Sequence, residues 1–243
     1  MDRPAIPEEV KRQLRQEAGF GCCKCGNPII DYHHIIPWEK EQHFRAEDMM
    51  ALCPTHHRQY GSIQKSLQYK IKLKPRNIND GYTLGNLTPH HTNTRVIVGT
   101  NTFGLMQKGS VLKYQDEDLF SFSISPEGYL LLNLKLYDEQ DNLLAEIIQN
   151  EWRSHNNFIW DIVHKPYYIK ISKRLYNVEL EINFKKIPIE LKGKLWRNGH
   201  KLSFSPLILE YKGNNGGGII AKNCFFRCNT IIHIKENGFS ICS

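Results

Sequence analysis

No apolar stretch in this chain of 243 residues approaches the roughly 18 residues that a membrane-spanning helix needs. The opening MDRPAIPEEVKRQLRQEAGF is charged and has no apolar core, so it does not read as a signal peptide. The glycine-rich run Gly213-Asn214-Asn215-Gly216-Gly217-Gly218 lacks a Gly-Lys-Ser/Thr ending, so it is no phosphate-binding P-loop. It reads instead as a loop that either flexes or approaches a ligand closely. No repeat of fixed period is present. The seven cysteines do not have the pattern of a secreted disulfide framework, because four of them crowd the first 53 positions at metal-ligand spacing. A reducing cytoplasm is the expected location, with no membrane partner. Acidic residues are missing from one place in particular. Between Arg58 and Arg76 stand Arg58, Lys65, Lys70, Lys72, Lys74 and Arg76, with no Asp or Glu.

What the chain does have is globular composition, with 40% hydrophobic and 11% aromatic residues. Its length allows one large or two modest domains with real cores. The net charge of +7 is modest but concentrated in the basic run, which reads either as a phosphate-backbone contact or as a solvated helix face.

Residues 21–60, GCCKCGNPIIDYHHIIPWEKEQHFRAEDMMALCPTHHRQY, carry the chemistry. Cys22 and Cys25 form a C-x-x-C knuckle, and Cys53 with His56 forms C-x-x-H. Paired soft ligands let one tight turn supply two donors to a tetrahedral zinc ion. Gly26 and Pro54 suit the turn backbone. Cys23 is a leftover thiol beside the knuckle. Between the pairs lies His33-His34-Ile35-Ile36-Pro37, and His57 follows the second pair. A zinc ribbon alone explains Cys22, Cys25, Cys53 and His56, but it leaves His33, His34 and His57 without a role.

In order and spacing these residues resemble the HNH nucleases (the ββα-metal, or His-Me finger, family). That pattern runs C-x-x-C, then D/H-H-I-x-P, then N-x-x-x-L-C-x-x-C/H-H. The matching positions are Cys22 and Cys25, His33 to Pro37, then Asp48, Leu52, Cys53, His56 and His57. The resemblance covers roughly the first 75 residues. It implies a β-hairpin and a helix around a metal, and phosphodiester hydrolysis in DNA; the residues say nothing against RNA. It makes His34 the general base that activates water. It makes His33 and His57 the ligands of a catalytic divalent ion, Mg2+ or Mn2+, and leaves Cys22, Cys25, Cys53 and His56 to a structural Zn2+. Asp48 stands where the family has an Asn that steadies the loop holding the base. Asp accepts the same hydrogen bonds but cannot donate them. Imidazole, with an ordinary pKa of about 6.5, suits a base near neutral pH, and a divalent ion supplies the Lewis acid that the phosphate needs. Adjacent strand residues point to opposite faces, so a bulge or turn at Tyr32–His34 is expected. The competing class is a DNA-binding or scaffolding protein with a zinc-stabilised, non-catalytic finger.

Around this centre, residues 6–18 read as a helix that starts at Pro7 and stops at Gly19. Residues 37–47 read as a polar loop with Trp38 and Phe44 available to pack. Thr55 to about Leu73 reads as helical, in two pieces broken near Gly61-Ser62. Residues 75–104 are rich in Asn, Gly and Thr and place a boundary near 95, giving a module at 1–94 and a second domain at 95–243. His90-His91 reads as a surface pair. Beyond the boundary the alternation is of β type, with Leu130, Leu132, Leu134 and Leu136 in one strand. Val178, Leu180, Ile182 and Phe184 mark another, and Ile187, Ile189 and Leu191 an edge strand with Pro188. Leu143–Trp152 fits either a strand or a helical face. Cys224 and Cys228 read as core or surface thiols, and the tryptophans as core. The fold class is α+β: an N-terminal zinc-stapled ββα-metal (HNH) module, then a mostly antiparallel β domain, sandwich or barrel. That domain could bind DNA, sense a ligand or assemble a homo-oligomer. By analogy, a small nuclease with such an appendage fits a restriction or phage-defence effector.

Overall fold

The computed structural model describes residues 4–89, 92, 96–103, 107–186 and 189–242. Helix α1 (Glu8–Glu17) carries Glu8 and Glu9 in its first turn and Arg15 in its last, each at the end where its charge suits the helix dipole. The chain then turns at Gly19, whose φ is +64° and whose Cβ would lie 2.9 Å from the Ile78 nitrogen, so glycine alone fits there. Strands β1 (Asp31–His34) and β2 (Met49–Leu52) form an antiparallel hairpin with His33 opposite Met50 and His34 opposite Met49. Helix α2 (Pro54–Tyr60) follows at once, with Cys53 as its N-cap and Pro54 at the first helical position. The helical stretch expected over 55–73 is divided, as α3 spans Lys65–Lys72. Then come α4 (Arg76–Asp80) and β3 (Tyr82–Asn86).

The rest is strand. One eight-stranded sheet runs in spatial order through Gly238–Ile241, Thr230–Lys235, Lys108–Tyr114, Glu117–Ile124, Leu130–Tyr137, Leu143–Ile148, Glu151–His155 and β3. A seven-stranded sheet meanders from Asp161–Lys165 through Tyr168–Arg174, Asn177–Asn183, Glu190–Arg197, His200–Ser205 and Ile208–Lys212 to Gly218–Ala221. Both orders are open, and the sheets share one core in which Phe120 of the first meets Phe204 of the second at 5.2 Å between ring centroids. The arrangement is a sandwich, mostly antiparallel, with Thr230–Lys235 parallel to Lys108–Tyr114. The fold is therefore α+β with few helices.

Several expectations are settled or changed. Of the two readings open for Leu143–Trp152, strand or helical face, the strand holds, as two strands joined by a turn. The turn between them passes through Gln149 and Asn150, both at positive φ, and Asn150 pins it by accepting from the Leu132 N–H at 2.8 Å and donating to the Leu130 carbonyl at 2.7 Å. Cys228 is no free thiol: the closing hairpin returns Cys242 to it, and the two form a disulfide. Of the tryptophans, Trp152 is fully buried, whereas Trp38, Trp160 and Trp196 are only partly so. Strand β3 pairs with Glu151–His155, so the eight-stranded sheet draws on residues from both sides of position 94. His90, His91, Ile187 and Pro188 lie outside the described residues. Among those residues, no helix is long and apolar enough to cross a membrane.

A buried ion pair joins α1 to the seven-stranded sheet. Arg15 donates from Nε and Nη2 to the Asp161 carboxylate at 2.8 and 2.7 Å, and from Nη1 to the Tyr32 hydroxyl at 2.7 Å. Tyr32 precedes His33, so this one guanidinium links the sandwich to the histidine strand.

Candidate metal centre and histidine site

The knuckle turn closes through Gly26, whose N–H donates to the Cys22 carbonyl at 2.8 Å. Gly26 sits at φ +80°, where an added Cβ would strike Asn77 Oδ1 at 2.2 Å. This turn offers Cys22 and Cys25, and the start of α2 offers Cys53 and His56. Their four donor atoms all lie within 4.8 Å of one another. Cys25 and Cys53 sulfurs are 3.9 Å apart, and His56 Nδ1 is 3.5 Å from Cys22 Sγ and 3.2 Å from Cys53 Sγ. Tetrahedral zinc, with bonds of about 2.3 Å to sulfur and 2.0 Å to nitrogen, would space sulfurs about 3.8 Å apart and S–N pairs about 3.5 Å apart. The set could thus hold a structural metal such as zinc. Burial, then the neighbouring Cys22 and Cys53 sulfurs, pushes the Cys25 thiol up to about 12. A cation at the centre would reverse that penalty. Cys23 is buried beside the cluster but is not among its donors. Burial likewise pushes its thiol up to about 12.

The other histidines gather at a separate cavity of about 480 Å³, lined by His33, His34, Trp38, Lys40, His57, Lys65 and Gln68 among others. The expected bulge at Tyr32–His34 is absent, since β1 keeps an unbroken register to β2. None is needed, because the strand ends at His34 and the two rings part to opposite sides. On one side His33 lies edge-on to His57, with ring centroids 5.2 Å apart, and its Nε2 is 3.0 Å from Gln68 Oε1. Burial pushes His33 below the ordinary imidazole range, and the Gln68 oxygen opposes this. Asp31, two residues back on the same strand face, has Oδ2 3.5 Å from His57 Nδ1.

On the other side His34 packs among Trp38, His43 and Phe44. Its Nε2–H donates to the His43 carbonyl at 3.0 Å, so the neutral ring carries its lone pair on Nδ1. His43 is fixed in turn: its Nδ1 accepts from the Arg45 N–H at 3.2 Å, and its Nε2–H donates to the Ile36 carbonyl at 3.1 Å. Asp48 does not line this cavity. Its carboxylate accepts from Arg45 Nε at 2.8 Å and from the Tyr69 hydroxyl at 2.6 Å, and the Tyr69 bond first, then Arg45, holds it below the usual carboxylate range. A chain of contacts thus runs from Asp48 through Arg45 and His43 to His34.

No family model, curated protein or solved structure matches this chain.

The residues of the basic run have different surroundings. Lys65 borders the histidine cavity beside Lys40. Lys72 is paired with Glu17, and Arg76 with Asp80 at 2.6 Å. Arg58, Lys70 and Lys74 are exposed. A larger cavity, about 760 Å³, lies between the knuckle loop and the eight-stranded sheet and is lined by Arg76, Tyr82, Trp152 and His164. It holds none of the clustered histidines. Sequence reasoning passed over Asp31, Lys40, His43 and Gln68. Only Asp31 left a readable signal, its two-residue spacing from His33 on a strand.

Proposed function

We propose that this chain is a metal-dependent endonuclease of the HNH kind, hydrolysing phosphodiester bonds in DNA. The observation that carries this reading is the convergence of His33, His34 and His57 on one cavity beside a separate Cys3His cluster. A structural site accounts for four donors and leaves three further imidazoles grouped at one cavity.

The division of roles follows from the hydrogen bonds. His34, held at Nε2, would take a proton from water at Nδ1, and the His43 carbonyl would steady the resulting imidazolium through the Nε2–H. His33 and His57 would hold the divalent ion, Mg2+ or Mn2+, which when bound supplies Lewis acidity at the scissile phosphate and the leaving oxygen. Lys40 and Lys65 at the rim suit the flanking phosphates. Asp48 acts at one remove, restraining Arg45 and hence the loop that fixes His34. This is the loop-steadying work that the Asn does in the family it resembles.

The test is incubation of supercoiled plasmid with the protein and its His34→Ala variant, in Mg2+, Mn2+ or EDTA. Cleavage that EDTA abolishes and that falls about 10²- to 10⁴-fold in the variant is expected, with zinc content unchanged. Equal cleavage by both proteins would remove His34 from the mechanism. No cleavage under any ion would favour the non-catalytic finger.

A further inference from the structure

Gln68 sits in the middle of α3, between exposed Leu67 and half-buried Tyr69, yet is only 3% exposed itself. A buried primary amide has two hydrogens and an oxygen to satisfy. Its Nε2 donates to the Tyr60 carbonyl at 3.0 Å and to the Ile63 carbonyl at 2.8 Å, which uses both hydrogens. Carbonyls can only accept, so these contacts fix which end of the amide is nitrogen. The oxygen is therefore the end that meets His33, 3.0 Å from Nε2. An amide oxygen accepts and never donates, so the hydrogen lies on His33 Nε2 and the lone pair on Nδ1.

Two consequences meet here. A metal-ligating imidazole commonly donates its other ring N–H to a fixed acceptor, which sets the tautomer and the ring orientation. Gln68 supplies such an acceptor to His33. The same amide also ties down the joint between α2 and α3, where the Ile63 N–H donates to the Tyr60 carbonyl at 3.1 Å. His57 is on α2, so the residue that orients His33 also restrains the helix that carries its neighbour.

We propose that Gln68 is a positioning residue that holds His33 as its Nε2–H tautomer and thereby presents Nδ1, together with His57, to the divalent cation. This rests on the endonuclease reading, but it can fail separately.

The experiment uses the full chain as wild type, Gln68→Leu and Gln68→Glu. Mn2+ affinity is followed by electron paramagnetic resonance, zinc content by atomic spectroscopy and the His33 tautomer by 15N shifts. In Gln68→Leu we expect Mn2+ affinity to fall about 10- to 100-fold with zinc content unchanged. Gln68→Glu keeps an acceptor for His33 but loses both donations to the helix joint. Mn2+ affinity within a few-fold of wild type in that variant therefore separates the hold on His33 from the hold on the joint. Wild-type Mn2+ affinity in Gln68→Leu would overturn the proposal, as would equal weakening in both variants. Should Gln68→Leu not fold, the metal-free wild type still decides: Nε2–H at His33 is expected, and Nδ1–H would overturn the proposal. A wild type that binds no Mn2+ would sink the endonuclease reading and this inference together, whereas binding indifferent to Gln68 sinks the inference alone.

Discussion

The hairpin region buries a small cluster, Ala18, Cys22, Cys23, Ile35, Met50, Ala51, Leu52, Cys53 and Tyr60, whereas the two sheets share a continuous core that includes Phe120, Trp152, Phe204 and Tyr211. Two of the hairpin region's buried residues, Cys22 and Cys53, are themselves metal-type donors. A cluster this small supplies little hydrophobic stabilisation, and small modules of that kind rely on a metal staple. The sheets need none. The two regions divide the work: the sheets hold the large core, and the histidines stand on the part that a metal held by Cys22, Cys25, Cys53 and His56 could staple. Phe20 bridges the two, because it packs in the sandwich core while standing two residues before the first knuckle cysteine.

Removing the staple is the strongest way to break that contrast. Cys53→Ser should abolish zinc retention and unfold the hairpin region, while the sandwich keeps its own cooperative transition. Structural zinc contributes roughly 10–16 kcal/mol in small fingers, more than so small a core can replace. Zinc content and far-ultraviolet melting, with and without a chelator, measure it. Loss of both regions in a single transition would mean that the sandwich also leans on the metal.

Next in size is the joint. Arg15→Met leaves the Asp161 carboxylate buried without its partner, which typically costs about 3–5 kcal/mol. Because Tyr32 shares the guanidinium, the loss should reach the histidine strand as lowered protection from hydrogen exchange at residues 31–34. The double variant Arg15→Met with Asp161→Leu should recover most of the stability, since no lone charge remains buried. A double variant as unstable as the single one would show that packing, not the orphaned charge, sets the cost.

A third prediction sharpens the contrast from the sandwich side. His164 is buried against Trp152, with ring centroids 5.2 Å apart, and burial pushes its pKa from 6.5 down to about 4. In the unfolded chain this imidazole takes up a proton near pH 6.5, whereas the folded one resists until about 4. Stability contributed by its neutral form is therefore full above about 6.5 and is lost as the pH falls towards 4, by about 3 kcal/mol in all. His164→Leu should flatten the dependence of the sandwich's urea midpoint between pH 7 and pH 5. An unchanged slope would place the acid sensitivity elsewhere.

These residues also show what a sequence can disclose. The knuckles were legible because the geometry is local: a two-residue spacing, Gly26 at positive φ and Pro54 opening a helix each constrain the backbone within one turn. The period of two in Leu130–Leu136 was legible for the same reason. The His33–Gln68 bond was not, because it joins residues 35 apart in the chain and α3 shows no local signal that it must bury an amide. The bulge was misjudged because both rings were taken to need to face one ion, which a regular pleat forbids. The end of β1 lets them flank the cavity from either side instead. Likewise Leu143–Trp152 has helical spacing, but the hydrogen bonds of Asn150 to a neighbouring strand decide for a turn, and no pattern within the segment records them.

The smallest expected effect concerns Asp48, which stands where the HNH pattern has Asn. Asp48→Asn can keep both contacts: its oxygen can accept from Arg45 Nε, and its amide hydrogens can meet the Tyr69 hydroxyl oxygen, which accepts as well as donates. The Arg45 bond keeps its charged donor but loses the charged acceptor, and the Tyr69 bond becomes neutral, a change of about 1 kcal/mol, so plasmid cleavage should stay within a few-fold of wild type. Asp48→Ala releases Arg45 altogether, and its cleavage should fall by about tenfold or more as the 43–45 loop loosens its hold on His34. The pair of variants asks whether the carboxylate acts through the loop or by itself. A folded, zinc-loaded Asp48→Asn protein without cleavage would mean that the negative charge touches the reaction directly. The contacts to Arg45 and Tyr69 argue that it does not.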